Sequence, residues 1–164
     1  MNMKKAICII LVIIWMSAIF WFSSQQGTGS SSTSKKVSEI VVNIIDINKK
    51  YSDTQKEEII KVIEPIIRKL AHYTLYAIGG ILITNCVYQF CNKEKHVIAL
   101  SAAIGILYAA SDEIHQLMVP GRSGNIKDVI IDSIGILTGI VFLLLVKEII
   151  KRLLEAKSKT KEVE

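Results

Sequence analysis

Hydrophobic residues along the chain fall into four long blocks, separated by shorter segments that carry most of the charged residues. The blocks cover residues 6–22, 70–90, 97–119 and 129–146. Each has the length of about 17–25 residues that a transmembrane helix needs. A helix of a soluble bundle would carry charged residues along one side, whereas the first and last blocks have almost no polar side. The pattern predicts an all-α fold, a four-helix transmembrane bundle, in a single domain over residues 1–164.

The segment between the first two blocks has a different periodicity. After a Gly/Ser/Thr-rich link, apolar residues recur at helical spacing, namely at Val37, Ile40, Val41, Ile44 and Ile45. This spacing predicts an amphipathic helix. A second one should begin near residues 52–54, where Thr54 and Glu57 have capping-box spacing. We expect both to be extracytoplasmic amphipathic helices, an insertion over residues 35–64 that lies in the membrane interface or caps the bundle.

Proline and glycine positions refine the helix boundaries and contacts. Proline has no amide hydrogen, so it suits the first turn of a helix better than the interior. Span two should therefore begin near Pro65. Gly135 and Gly139 have the small-xxx-small spacing of close helix contacts in membranes, which predicts tight packing of span four.

Basic residues predict the orientation of the spans. Lys4 and Lys5 precede the first block, Lys93 and Lys95 lie between spans two and three, and a basic tail occupies residues 147–164. With four spans, all three positions fall on one side, and basic flanks mark the cytoplasm. The first block is long for a signal peptide and no Ala-x-Ala pattern follows it, so we treat it as a retained span. We therefore expect a multi-pass membrane protein with both termini in the cytoplasm.

The charge distribution also limits the classes of partner. The net charge is +5, and the basic residues gather beside the apolar blocks. This placement favours anionic lipid headgroups over nucleic acid. We therefore expect membrane lipids as partners and no nucleic acid. The three cysteines have no zinc-site or disulfide spacing, and we assign no metal and no other cofactor to the chain.

Polar side chains are concentrated at the outer end of the predicted spans. Residues 97–110 would extend only about 21 Å as a helix, which is too short to cross a bilayer. Span three must therefore include four more polar residues, Asp112, Glu113, His115 and Gln116. Asp132 lies inside span four and His72 lies near the outer end of span two. Ionisable groups at membrane depth are costly and usually functional, so we expect these residues to share one outward-facing polar site.

Helical spacing predicts which of these side chains lie together. Asp112, His115 and Gln116 share a face of one helix, whereas Glu113 points about 100° away from Asp112. Other shared faces are Asp128 with Asp132, and Arg68 with His72 and Tyr76. A turn over residues 120–124 should lead the chain into span four.

Taken together, the polar motifs resemble those of the VanZ family. They are Phe22-Ser23-Ser24-Gln25, Arg68-Lys69-Leu70-Ala71-His72, Ser111-Asp112-Glu113-Ile114-His115-Gln116, Pro120-Gly121-Arg122-Ser123-Gly124, Asp128 and Asp132-Ser133-Ile134-Gly135. The resemblance covers nearly the whole chain and implies a small, multi-pass bacterial membrane protein of the cell envelope. The founding member of that family is associated with low-level resistance to the glycopeptide teicoplanin.

The leading functional hypothesis is a binding site. Arg68, Lys69 and Arg122 would donate to phosphate or carboxylate on an outer-leaflet, anionic lipid-linked or cell-wall component. Binding would then lower susceptibility to teicoplanin and related glycopeptides. The residues assigned to ligand binding are Ser24, Gln25, Arg68, Lys69, Glu113, Gln116, Arg122, Asp128 and Asp132.

The alternative is a membrane-embedded hydrolase or transferase that acts on a lipid headgroup or cell-wall precursor. A metal-free version would use His115 or His72 as general base, with Asp112 fixing the imidazole tautomer. An arginine would stabilise the developing negative charge. Ser111 and Ser123 are candidate nucleophiles. A metal-dependent version would gather His72, Asp112, His115 and Asp128 around a divalent ion.

The polar groups could also simply lock the bundle, with Arg68 or Arg122 paired to Asp112, Asp128 or Asp132. Polar contacts between membrane helices add only about 0.6–2 kcal/mol, so stability alone accounts poorly for this many charged residues. A channel or transporter ranks behind the binding protein and the enzyme, because the charges collect on one side instead of crossing the midplane.

Overall fold

The computed structural model describes residues 2–24, 27–46, 50–122 and 124–161, and these residues form five helices without a strand. The helices are α1 (Met3–Ser23), α2 (Gly27–Ile45), α3 (Asp53–Val87), α4 (Glu94–Leu117) and α5 (Ile126–Lys161). Four of them, α1, α3, α4 and α5, are long and apolar enough to cross a membrane. The predicted all-α fold with four spans is confirmed.

Helix α3 lies at the centre of the structure and packs against α1, α2, α4 and α5. Its contact with α5 is close enough for the two backbones to touch. A Cβ atom on Gly139 would overlap the carbonyl oxygen of Ala77, and one on Gly80 would overlap the carbonyl oxygen of Ile136. Glycine is needed at these positions because any side chain would push the helices apart.

Aromatic side chains fasten α1 to the rest of the bundle. The indole nitrogen of Trp15 donates to the carbonyl oxygen of Leu75 at 3.0 Å, and the Tyr108 hydroxyl donates to that of Met16 at 2.6 Å. The rings of Trp15 and Tyr76 meet edge to face, with centroids 5.8 Å apart. Each buried polar tip therefore has a partner, as aromatic residues in cores usually do.

The predicted start of a helix at Pro65 is wrong, because α3 runs without a break from Asp53 to Val87. A proline removes one intrahelical hydrogen bond, and burial on both sides of it, at Ile60 and Tyr76, keeps the helix intact. The helix start near residues 52–54 is correct, but its capping box joins Ser52 to Gln55. It does not use Thr54 and Glu57.

The Gly/Ser/Thr-rich link is also helical where the structure describes it, because α2 begins at Gly27. Its small side chains allow α2 to lie against α3. Ser38 is fully buried, and the Ser34 hydroxyl donates to Glu64 of α3 at 3.1 Å. The amphipathic segment is thus a helical hairpin with the first part of α3, and it begins earlier than residue 35.

Asp46 closes the far end of this hairpin. The ammonium group of Lys56 lies 2.9 Å from its carboxyl group, and the backbone amides of Lys50 and Tyr51 donate to the other oxygen at 2.6 and 3.3 Å. Lys56 and these two amides hold the pKa of Asp46 below its ordinary value. The position of α2 on α3 is therefore fixed at both ends, by Ser34 and by Asp46.

Candidate functional site

The carboxyl group of Asp112 joins three helices at the end of the bundle where α1 and α4 finish. Its Oδ2 atom accepts hydrogen bonds from Ser23 of α1 at 2.9 Å, Tyr76 of α3 at 3.1 Å and Gln116 of α4 at 3.0 Å. Asp112 is fully buried. We call these four residues the Asp112 cluster. Because buried polar groups need partners, the cluster fixes how the three helices are rotated about their axes.

His115 lies outside the Asp112 cluster. Its Nε2 atom is 3.0 Å from the Ser24 hydroxyl, and its ring stacks on Phe20 with centroids 4.0 Å apart. The prediction that Asp112 fixes the tautomer of His115 is wrong. Residues three apart on a helix differ in direction by about 60°, and this rotation turns His115 toward a different part of α1.

Two further pairs connect α3 to α5. His72 Nδ1 lies 3.8 Å from the buried Asp132, and one turn away Lys69 Nζ lies 3.6 Å from Asp128. The two aspartates lie four residues apart on α5, as a shared helix face requires. Both pairs lie at the same end of the bundle as the Asp112 cluster.

The turn between α4 and α5 folds back over this end. Gly121 has a φ of 78°, a left-handed conformation that glycine adopts without strain. Glu113 accepts a hydrogen bond from the backbone amide of Asn125 at 2.5 Å, and the Arg122 guanidinium donates to the carbonyl oxygen of Phe22 at 3.2 Å. Burial lowers the pKa of Arg122, and the carboxyl groups of Asp112 and Glu113 oppose this effect.

A cavity of about 730 Å³ opens beside these groups, between α1, α2 and α3. Most of its wall is apolar, including Ile19, Phe22 and Leu75. Its polar wall includes Arg68, His72 and Arg122, together with Ser23 and Tyr76 of the Asp112 cluster. The volume falls within the range of about 300–1,000 Å³ that is typical of small-molecule sites.

The sequence model of one protein family, VanZ/LLP1, matches residues 8–147. The chain belongs to the VanZ/LLP1 family. No match was found among the curated proteins or among the solved structures. The matched residues include the Asp112 cluster, the α4–α5 turn and the cavity wall. With four apolar helices of spanning length, this VanZ/LLP1-family member is a membrane protein.

The residues assigned to the site from the sequence occupy three kinds of position in this VanZ/LLP1-family protein. Arg68, His72 and Arg122 line the cavity. Asp112 and Asp132 are buried next to Tyr76 and His72 of the cavity wall, and Gln116 is buried next to Asp112. The remaining described ones, Ser24, Lys69, Glu113, His115 and Asp128, are paired elsewhere at the same end of the bundle. Gln25 and Ser123 lie outside the described residues.

The four residues of the metal-dependent hypothesis do not form one ligand set in this family member. Asp112 is hydrogen-bonded within its cluster and His115 to Ser24. His72 lies in an ion-pair contact with Asp132, and Asp128 in one with Lys69. Within the described part of the chain, no three His, Cys, Asp or Glu side chains are grouped closely enough to hold a metal ion.

Two residues that bond to Asp112, Ser23 and Tyr76, were not predicted as its partners from the sequence. Ser23 lies in the Phe22-Ser23-Ser24-Gln25 motif, and Tyr76 lies on the helix face of Arg68 and His72. Neither of these two signals identifies Asp112 as the partner. That assignment depends on how α1 and α3 pack against α4.

Proposed function

We propose that this VanZ/LLP1-family protein binds an anionic lipid-linked or cell-wall component at the outer face of the bacterial cytoplasmic membrane. Binding would lower susceptibility to glycopeptides such as teicoplanin. The observation that carries the proposal is the cavity with two guanidinium groups, those of Arg68 and Arg122, in its wall. Guanidinium groups hold phosphate and carboxylate through paired hydrogen bonds.

The surroundings of the cavity support an anionic ligand. Arg68 is exposed and Arg122 is half-buried, so an incoming ligand meets Arg68 first. Burial weakens the competition from water at Arg122, which strengthens a hydrogen bond to an anion there. The basic residues near both termini support an outer position of the cavity, because such residues favour the cytoplasmic side.

We expect Arg68→Ala to weaken binding of phosphatidic acid in phosphatidylcholine vesicles by about tenfold or more, because a charge-assisted hydrogen bond is lost. Arg122→Lys should give a smaller loss, because lysine keeps the charge but not the paired geometry. The same variants should raise teicoplanin susceptibility in cells that depend on this protein. The measurements are equilibrium binding to the purified protein and the minimum inhibitory concentration of teicoplanin.

The matched control is Arg152→Ala, an arginine on the exposed part of α5, which pairs with Glu148 far from the cavity. It should bind phosphatidic acid as the unsubstituted protein does. Wild-type binding by Arg68→Ala would contradict the proposal.

One observation favours the alternative function, a hydrolase or transferase acting on a lipid headgroup or cell-wall precursor. The exposed Ser24 hydroxyl lies 3.0 Å from His115 Nε2, the distance of a nucleophile and its general base. This hydroxyl donates its hydrogen to the carbonyl oxygen of Phe20 at 2.7 Å, so catalysis would require the hydrogen to turn toward His115. Ser24→Ala and His115→Gln separate the two functions. If the protein is an enzyme, both variants retain bound ligand but no longer alter it. If it is a binding protein, the ligand is recovered unaltered from the unsubstituted protein as well.

A further inference from the structure

The charged part of the cavity wall on α3 lies at Arg68, and the lining residues beyond His72, namely Thr74, Leu75 and Tyr76, are uncharged. Arg68 lies nearest the start of the apolar part of α3, His72 is one turn further and Leu75 almost one turn beyond that. At a rise of 1.5 Å per residue, Leu75 is about 10 Å deeper than Arg68. Helix α1 runs in the opposite direction, so Ile19 is deeper than Phe22. The guanidinium groups thus lie at the rim, and Ile19 and Leu75 lie toward the middle of the span, where the wall carries no charge.

The hydroxyl groups in the wall help to keep an anion at this rim. Ser23 and Tyr76 both donate their hydroxyl hydrogens to Asp112. Their oxygen atoms therefore offer lone pairs, and not hydrogens, to anything else in the cavity. A phosphate or carboxylate gains nothing from such groups, whereas Arg68 and Arg122 offer only donors.

We propose that the ligand is a lipid held lengthwise, with a phosphate head at Arg68 and Arg122 and an apolar chain against Ile19 and Leu75. This inference rests on the proposed function, because it assumes that the cavity binds an anionic ligand. The same order, head at the membrane surface and chain toward the midplane, is that of a lipid in the adjacent leaflet. The chain leaves one apolar environment for another, so its transfer adds little driving force and the head supplies most of the selectivity.

The wall formed by α2 lies at the head end of the cavity. Ser34 and Val37 of α2 line the cavity, and Ser34 is bonded to Glu64, which precedes Arg68 on α3. The chain would therefore extend from the head end, which α2 covers, to the deeper wall formed by Ile19 of α1 and Leu75 of α3. A soluble anion needs none of this apolar wall.

Photo-crosslinking tests this arrangement in phosphatidylcholine vesicles that contain phosphatidic acid with a diazirine group. One probe carries the diazirine near the head and the other near the end of a chain. The chain probe should label peptides that contain Ile19 or Leu75, and the head probe should label the peptide around Arg68. Unlabelled phosphatidic acid should suppress both signals, and inorganic phosphate at the same concentration should not.

Larger side chains at the deep end of the cavity test whether the lipid chain lies there, and an exposed position provides the matched control. Leu75→Trp should reduce labelling by the chain probe about tenfold. Leu75→Phe is a milder version that tests the same effect if the tryptophan variant does not fold. Leu107→Trp adds the same ring at a highly exposed position on α4 and should leave labelling unchanged.

Different outcomes reject different parts of the account. Chain labelling confined to exposed residues such as Ile134 or Phe142 would overturn the lengthwise lipid. Equal competition by inorganic phosphate would overturn it as well and would leave a site for a free anion, so the proposed function would stand. Undiminished labelling of Arg68→Ala by both probes would instead reject the proposed function.

Discussion

Replacing Asp112 by alanine should lower the free energy of unfolding by about 2–4 kcal/mol and should also disrupt the cavity wall. The substitution leaves three donors without their acceptor, on Ser23, Tyr76 and Gln116. Each unpaired donor costs about 1 kcal/mol in a membrane bundle, so the effects add to a large loss. The measurement is the thermal unfolding of the purified protein in detergent.

Two further variants show whether the loss of stability comes from removing the Asp112 acceptor or from any substitution in this part of α4. Ser111→Ala is the control, because the Ser111 hydroxyl is exposed and bonds to the carbonyl oxygen of Tyr108 within its own helix. It should change stability by less than about 0.5 kcal/mol. Asp112→Asn keeps an acceptor oxygen and should fall between the two. If Asp112→Ala were as stable as Ser111→Ala, the cluster would not hold the helices together.

Gly139→Ala should destabilise the protein by about 3 kcal/mol, because its Cβ atom meets the backbone of Ala77 and cannot be accommodated by a side-chain movement. Helix α5 would have to move away from α3. That movement would lengthen the His72–Asp132 and Lys69–Asp128 contacts, so ligand binding should weaken together with stability.

The comparison for this variant is Gly105→Ala. Its Cβ atom would lie 2.6 Å from a side-chain carbon of Ile136, and the three nearest atoms all belong to that side chain and not to a backbone. We expect a loss of about 1 kcal/mol and little change in binding. Thermal unfolding and phosphatidic acid binding measure both effects. If both variants lost the same stability, the α3–α5 backbone contact would contribute no more to stability than the side-chain contact at Gly105.

The four spans could be predicted from the sequence because a run of about 20 apolar residues has few stable alternatives in a bilayer. The continuous α3 and the early start of α2 could not. Pro65 costs one hydrogen bond locally, and only the packing of both halves of α3 outweighs that cost. Ser34 and Ser38 are poor helix formers by composition, and their burial against α3 decides their conformation.

The level of the site residues along the spans could be predicted from the sequence, but most of their hydrogen-bond partners could not. Span length places the polar residues of α3, α4 and α5 at one level, and four-residue spacing correctly puts Asp112 beside Gln116. The partner of His115 depends on a 60° difference in direction and on which residues of α1 face α4. Such choices belong to the contacts between helices, which local spacing does not encode.

The end of the bundle with Asp112, Arg68 and Arg122 should face the outside of the cell, since the proposed ligand lies in the outer leaflet. Single cysteines at Met118→Cys and Lys95→Cys test this orientation, in a background in which Cys8, Cys86 and Cys91 are replaced by alanine. Both positions are exposed, and they lie at opposite ends of α4. In intact cells, a membrane-impermeant maleimide should label Met118→Cys and should label Lys95→Cys only after the membrane is opened. Labelling of Lys95→Cys but not Met118→Cys in intact cells would place the cavity on the cytoplasmic side and contradict the account.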